Sequence, residues 1–249
     1  MKDNFSEIAV EYSKFRPHYP DAMIEFIVSF AKEKNTALDL ATGNGQVAKK
    51  LSKYFKTVYA TDISASQIAN SEESANIIYK VEPAEKTTFE DHFFDLVTVA
   101  QSIHWFDFET FYPELFRILK PDGIFAVLGY GLFSTNPESD KILHEFYYNI
   151  VGPYWDLERK YLDEMYTTIP FPLDEIQTES FENRFSWTFN QLTGYIETWS
   201  ATQHYKNATG ENPVDQIREQ LRESWEISNK EVVFPLILRI GKLKTNNPS

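Results

Sequence analysis

Asp39, Gly43, Gly45 and Asp62 are the residues of this 249-residue chain whose types and spacing could do chemistry. The stretch Thr36-Ala37-Leu38-Asp39-Leu40-Ala41-Thr42-Gly43-Asn44-Gly45-Gln46 starts as a short apolar run carrying an acid and breaks into a glycine turn. Val47-Ala48-Lys49-Lys50-Leu51 then continues with helical spacing. Strand, glycine turn and helix together let a backbone approach a ligand closely and aim the free N–H groups of a helix start at it. Asp62 follows Gly43 by 19 residues, close to the interval of about 20 at which an acid beyond a second strand meets ribose hydroxyls. A carboxylate placed there can accept from both hydroxyls of one ribose.

Further polar residues fall where loops are expected. Pro83-Ala84-Glu85 forms one loop, and Gln101-Ser102-Ile103-His104-Trp105-Phe106-Asp107 follows an apolar strand. His104 is the candidate general base; the competing reading is a hydrogen bond that orders the loop. Trp105 reads as a packing residue under that loop or a substrate contact. Trp199, Gln203, His204 and Tyr205 are candidates for the wall around a second ligand, with core packing the alternative for Trp199. Near the start, Phe5, Ile8, Tyr12 and Phe15 recur at helical intervals until Pro17 and Pro20 stop the pattern. This segment, with Tyr12, Arg16 and Tyr19, is a candidate lid or a helix that simply docks on the domain.

The elements that must position these residues alternate. Asp21–Lys34 predicts an amphipathic helix with Met23, Ile27, Phe30 and Ala31 inward. Strands are expected at 37–41, 57–61, 77–81, 93–100 and 124–129, with helices at 46–54, 64–74 and 108–119. Lys120-Pro121-Asp122-Gly123 reads as a turn with proline at its second position. Alternation through residue 129 calls for an α/β fold with a doubly wound, mainly parallel sheet. Ligands in such sheets bind beyond the C-terminal ends of the strands, where Gly43, Asp62, Glu85 and the 101–105 loop all lie. After that the alternation lapses into helices at 138–168, a sixth strand at 176–188 and helices at 190–205 and 213–225. Asn212 caps the last of these helices, with Pro213 at its first position. A seventh strand at 232–240 contains Pro235, which predicts a bulge or interruption.

Composition narrows the function. The formal net charge is −13 without a basic block, which argues against a nucleic-acid groove. No apolar run approaches the roughly 20 residues of a membrane span, and no secretory signal is visible. The absence of cysteine excludes disulfides, thiolate metal ligands and a cysteine nucleophile, and fits a cytoplasmic location. No cluster has metal-ligand spacing. A monomer and a homodimer are equally compatible with the chain.

The series LDLATGNGQ, YATDIS, PAE, FDLVTVAQSIHWFD and ILKPDG resembles the class I S-adenosylmethionine-dependent methyltransferases over nearly the whole chain. YSKFRPHYP, SIHWFD, ETWSATQHY and FPLILRIGK are similar to the subgroup of trans-aconitate and related small-molecule methyltransferases. The resemblance implies one domain: a lid (1–20), a cofactor-binding core (36–130), substrate-side helices with strand six (131–230) and a last strand (231–241). It implies a seven-stranded sheet and S-adenosyl-L-methionine as cofactor. Asp39, Ala41, Thr42, Gly43 and Gly45 would line the methionine end, Asp62 would hold the ribose, and Ile63 would lie on the adenine. Ala84 and Glu85 would sit at the adenine edge, Gln101 and Ser102 beside the sulfonium, and Tyr12 and Arg16 by the cofactor carboxylate. Arg16, Tyr19, His104, Trp105, Trp199, Gln203 and Tyr205 would face a small-molecule acceptor. The family often has glycine where this chain has Ala41 and Asp122. A nicotinamide-dependent oxidoreductase and a non-catalytic cofactor-binding module are the alternatives; ATGNGQ lacks the G-x-G-x-x-G pattern of the former.

Overall fold

The computed structural model describes residues 17–71 and 73–244. Its central strand is β1 (Thr36–Leu40), which pairs in parallel with β2 (Thr57–Asp62) on one side and β4 (Phe94–Ala100) on the other. β3 (Ile77–Val81) and β5 (Leu119–Tyr130) extend the parallel sheet outward. Beyond β5 the direction reverses. β8 (Glu231–Lys242) runs antiparallel to β5, and two short strands, β6 (Asp174–Ile176) and β7 (Glu182–Ser186), pair antiparallel with β8. The order is β3-β2-β1-β4-β5-β8-β6, with β7 also on β8. Chain order turns back between β2 and β4, on either side of β1, which is the switch point at which such sheets hold ligands.

β1 and β4 are apolar on both faces because both faces are covered. Ala37 and Leu96 join one core with Met23, Ile27 and Leu51, while their neighbours Leu38 and Val97 join a second core with Phe111, Leu115 and Phe125. Side chains alternate across a strand, so one residue's step changes the layer served. Helices α1 (Asp21–Ser29) and α2 (Gln46–Leu51) cover the first face, and α4 (Phe108–Ile118) covers the second. α3 (Ala65–Ala69) is a short helix after β2, capped by the Ser64 side chain. α1 ends five residues before the predicted boundary.

Two expectations are corrected. The sheet has eight strands, not seven, because the predicted sixth strand divides into β6 and β7, each joined to a different stretch of β8. The predicted turn at 120–123 lies inside β5, where the register shifts between Phe94 and Leu96. The interruption expected at Pro235 is present: the β5–β8 ladder ends at Leu236, the neighbour of β8 changes there from β5 to the 131–134 connection, and the Pro235 carbonyl accepts from Gly131 N at 3.0 Å.

The helical region is more broken than its periodicity suggests. α5 (Pro137–Glu145) runs into a π-turn at 146–150, 3₁₀ turns at 152–154 and 157–159, and the single turn α6 (Lys160–Asp163). Pro153 forbids a continuous helix here. The predicted helix at 190–205 divides into α7 (Phe189–Glu197) and α8 (Ser200–Thr209) at Trp199, whose backbone is extended. α9 (Arg218–Glu226) follows the Asn212-capped turn at 213–216. Among the described residues no helix is long and apolar enough to cross a membrane.

Candidate active site

The glycine turn is built from the strand beneath it. Asp39 is 1% exposed, and its Oδ2 accepts from Thr42 Oγ1 at 2.5 Å and from Ala48 N at 3.1 Å, while Oδ1 accepts from Thr98 Oγ1 at 2.8 Å. The N-cap of α2 is Gly45, which has no side chain to offer the helix start. Asp39 supplies that acceptor from below and ties β1, the turn and β4 together. Burial raises its carboxyl to about 6, the nearby Asp62 charge adds to this, and the hydrogen bonds from Thr42, Thr98 and Ala48 oppose it.

Three residues of the turn occupy the left-handed region: Ala41 (φ 51°), Gly43 (φ 58°) and Gly45 (φ 87°). Only glycine does so freely. A Cβ on Gly45 would overlap the Tyr79 hydroxyl, whereas a Cβ on Gly43 would meet only Gln67 Oε1, at 3.8 Å. Open space above Gly43 is what a closely approaching ligand requires. Ala41 bears the strain that the family's glycine avoids. Ala41→Gly is expected to stabilise the fold by about 0.5–1 kcal/mol, strain relief outweighing the extra freedom glycine gives the unfolded chain. Denaturant unfolding checks this; an equally large loss of stability would refute it.

Asp62 closes the turn from the next strand. Its Oδ2 accepts from Gly43 N at 2.9 Å and its Oδ1 from Ser64 N at 2.8 Å, and Thr42 N donates to Thr61 O at 2.9 Å. Each carboxylate oxygen carries two lone pairs. Ile63 beside it is 37% exposed, an apolar surface at the rim. Ala84 is buried, and Glu85 reaches across to Asp107 N, which donates to its Oε1 at 3.4 Å. These residues fit an adenosyl group: a paired acid for a diol, an apolar face beside it, and a turn open to backbone contact.

Gln101 and Ser102 leave β4 next to this turn. Gln101 has φ 57°, and its side chain copies a strand neighbour, accepting from Tyr130 N at 2.9 Å and donating to Tyr130 O at 3.3 Å. Ser102 Oγ donates to Ala100 O at 3.1 Å. His104 is 4% exposed, its Nδ1 2.8 Å from the Tyr166 hydroxyl and its ring 4.7 Å from that of Trp105. Burial, and after it the charge of Arg159, pushes the His104 imidazole down to about 3. A group that weakly basic does not take protons near neutrality, so the contacts suit ordering of the loop.

Trp199, Gln203, His204 and Tyr205 make their contacts largely with the helical region. Trp199, 3% exposed, packs among Phe133, Phe146, Tyr147, Trp155 and Tyr195. Gln203 Nε2 donates to Glu197 O at 2.6 Å, His204 Nδ1 lies 2.9 Å from Tyr154 O, and the Tyr205 ring packs tilted against Tyr154 while its hydroxyl accepts from Gln216 Nε2. These partners belong to the helical region. Tyr19 is buried near Tyr130. Tyr12 and Arg16, with most of the expected lid, lie outside the described residues.

Sequence reasoning missed Thr98, Ser64, Tyr166 and Arg159. The first two sit in elements that were expected, and only the register reveals their bonds to the site acids or the turn. Tyr166 and Arg159 come from the irregular 146–166 region, where Asp156-Leu157-Glu158-Arg159-Lys160 reads as an ordinary charged surface.

The family model described as a methyltransferase domain matches residues 38–127. A Dictyostelium discoideum protein named as a methyltransferase is 33% identical, the match covering 96% of this chain and 95% of that protein. A Saccharomyces cerevisiae protein named as S-adenosylmethionine-dependent is 25% identical over 86% of this chain and 84% of its own. The structure of a type II methyltransferase from Anaeromyxobacter dehalogenans superposes with a TM-score of 0.84 at 33% identity, covering 92% of this chain and 98% of that one. Likeness of that extent along both chains, on a sheet that reverses after its fifth strand, places this chain in the family of class I S-adenosylmethionine-dependent methyltransferases.

Proposed function

We propose that the protein transfers a methyl group from S-adenosyl-L-methionine to a small-molecule acceptor, and that the receiving atom is a carboxylate oxygen. S-adenosylmethionine supplies a methyl on a positively charged sulfur: the acceptor's lone pair forms the new bond to carbon while the carbon–sulfur pair stays on sulfur, leaving a neutral thioether and an ester. Asp62 would hold the ribose, Ile63, Ala84 and Glu85 the adenine, and Gly43 and Gly45 the methionine portion, with Asp39 behind the turn. Gln101 and Ser102 would border the reacting centre, and Tyr12, Arg16 and Tyr19 of the N-terminal segment would complete a lid over one domain of 1–249. A trans-aconitate-like subgroup and an acidic substrate are part of the same reading.

The observation that supports a carboxylate most directly is the state of His104. The imidazole at the end of β4 is buried, weakly basic and engaged by Tyr166. A carboxylate is ionised at pH 7 and requires no base, so alignment is the chief task left to the protein. A screen of small carboxylic acids, phenols and amines with methyl-labelled cofactor tests this. Expected is a base-labile methyl ester; label fixed to carbon or nitrogen would refute the oxygen assignment. A nicotinamide nucleotide retained by the purified protein, seen by mass spectrometry, would refute the cofactor placement.

A further inference from the structure

Tyr166 and Met165 before it both stand in the left-handed region, at φ 57° and 52°, where a side chain is strained. Strain of this kind persists only where the surroundings over-determine the position. Here they do. Tyr166 N donates to Tyr161 O at 2.7 Å, and Tyr166 O accepts from Arg239 Nη1 at 2.9 Å. Glu175 in turn holds Arg239 by two bonds, at 2.7 and 2.8 Å. The ring placed by this backbone is fully buried. A Cβ on Gly129 would lie 2.8 Å from Tyr166 Cε2 and 3.4 Å from Gln101 Oε1, so Tyr166 shares its patch of β5 with the residue proposed to border the sulfonium.

What the strained pair delivers is one hydroxyl, 2.8 Å from His104 Nδ1. A phenol, ionising at about 10, is a stronger hydrogen-bond donor than an uncharged imidazole N–H, and the bare imidazole nitrogen is the better acceptor. The O–H therefore donates, Nδ1 carries the lone pair, and the ring proton sits on Nε2. Trp105 and Tyr166 hold the plane of the imidazole, with ring centroids at 4.7 and 5.8 Å. Nε2 bonds to no described residue and is not sealed from solvent. His104 thus presents an oriented N–H that nothing among the described residues receives. Burial and the Arg159 charge keep the ring uncharged near neutrality. That suits the neighbourhood of a sulfonium. An imidazolium would repel the cofactor and draw charge from an attacking oxygen, whereas an uncharged donor orients an anion without either cost.

We propose that Tyr166 is a positioning residue that fixes the ring proton of His104 on Nε2, and that this N–H donates to the acceptor's carboxylate oxygen that does not take the methyl. This rests on the methyltransferase reading and deepens it. The other oxygen keeps its lone pair toward the methyl carbon, and the oxygen held by His104 becomes the carbonyl of the ester.

The test begins with ¹⁵N NMR of the histidine rings at pH 7, the His104 signals being identified by their absence from His104→Gln. Expected are a protonated Nε2 and a bare Nδ1, with the Nε2 signals of the S-adenosylhomocysteine complex shifting when acids of the methylation screen are added. In kcat/KM for the best of those acids, His104→Leu should lose about 30–100-fold, the range of a hydrogen bond to a charged group. His104→Gln carries an N–H to the same place but no base, and should stay within about 5-fold of the wild type. Tyr166→Phe should lose about 3–10-fold alone and nothing further beside His104→Gln, since without Nδ1 the hydroxyl has nothing to fix. A merely structural hydroxyl would cost the same on both backgrounds. A proton found on Nδ1, His104→Gln as weak as His104→Leu, equal Tyr166→Phe losses on both backgrounds, or His104 signals unmoved by every acid would each overturn the proposal. Calorimetry with S-adenosylhomocysteine should give wild-type affinity in every variant, which assigns the losses to the acceptor. No binding by the wild type itself would instead sink the methyltransferase reading, so the two failures are told apart by that titration.

Discussion

Asp62→Ala should bind S-adenosylhomocysteine about 10–100-fold more weakly than the wild type. Two effects add. The first is loss of the acceptor proposed for the ribose diol, a charged hydrogen bond contributing about 1.5–3 kcal/mol. The second is inside the protein, where Gly43 N and Ser64 N lose the carboxylate that holds them at 2.9 and 2.8 Å. The turn then no longer has its shape fixed before the ligand arrives, and binding must supply the ordering. Asp62→Asn should rescue little, because one of its two ends is an NH₂ facing a backbone N–H. Calorimetric titration with circular-dichroism melting separates weakened binding from a lost fold. Wild-type affinity in a folded Asp62→Ala protein would show that the ribose lies elsewhere.

This pairing also shows how far the sequence could be read. The interval from Gly43 to Asp62 is fixed by one helix and one strand, so counting residues was enough to bring the two together, and the coordinates join them directly. The alternation of strands and helices through residue 129 was legible for the same reason: each element is short, regular and bounded by turns. What escaped was register and irregular backbone. The partners of Asp39 include Thr98, 59 residues away, and no local pattern announces a bond across neighbouring parallel strands. For Trp199 the sequence left a ligand wall and core packing both open; in the fold its ring lies in an aromatic core, and the helix breaks at this residue. Arg159 was passed over since its partners Tyr147 and Trp155 reach it through π and 3₁₀ turns that periodicity does not reveal. The N-terminal lid, legible as a pattern of aromatics ending in Pro17, lies outside the described residues and stands as a proposal.

Asp39→Asn should change how stability depends on pH. Burial pushes the carboxyl of Asp39 up from the ordinary aspartate value near 3.8 to about 6. An acid whose folded value is raised is bound by its proton more tightly in the native state, so the stability it contributes is full below about pH 4. That stability is lost as pH rises through about 6. Above that, the native state carries a buried charge costing on the order of 3 kcal/mol. Asparagine does not titrate. The stability of Asp39→Asn relative to the wild type should therefore rise by up to about 3 kcal/mol between pH 4 and pH 7, whatever its starting value. That starting value is expected to be unfavourable, because Thr42, Thr98 and Ala48 N converge on the side chain and the amide offers one acceptor oxygen where the acid offers two. Urea unfolding at pH 4.5 and pH 7.5 measures the change, and a constant difference would refute it. A buried acid kept at such a cost calls for a cation, and the proposed cofactor brings two, an ammonium and a sulfonium. Binding of S-adenosylmethionine near pH 6 should consequently release protons from the wild type and fewer from Asp39→Asn, as read by calorimetry in buffers of different ionisation enthalpy; equal release from both would mean the cofactor's charges lie out of reach of this carboxylate.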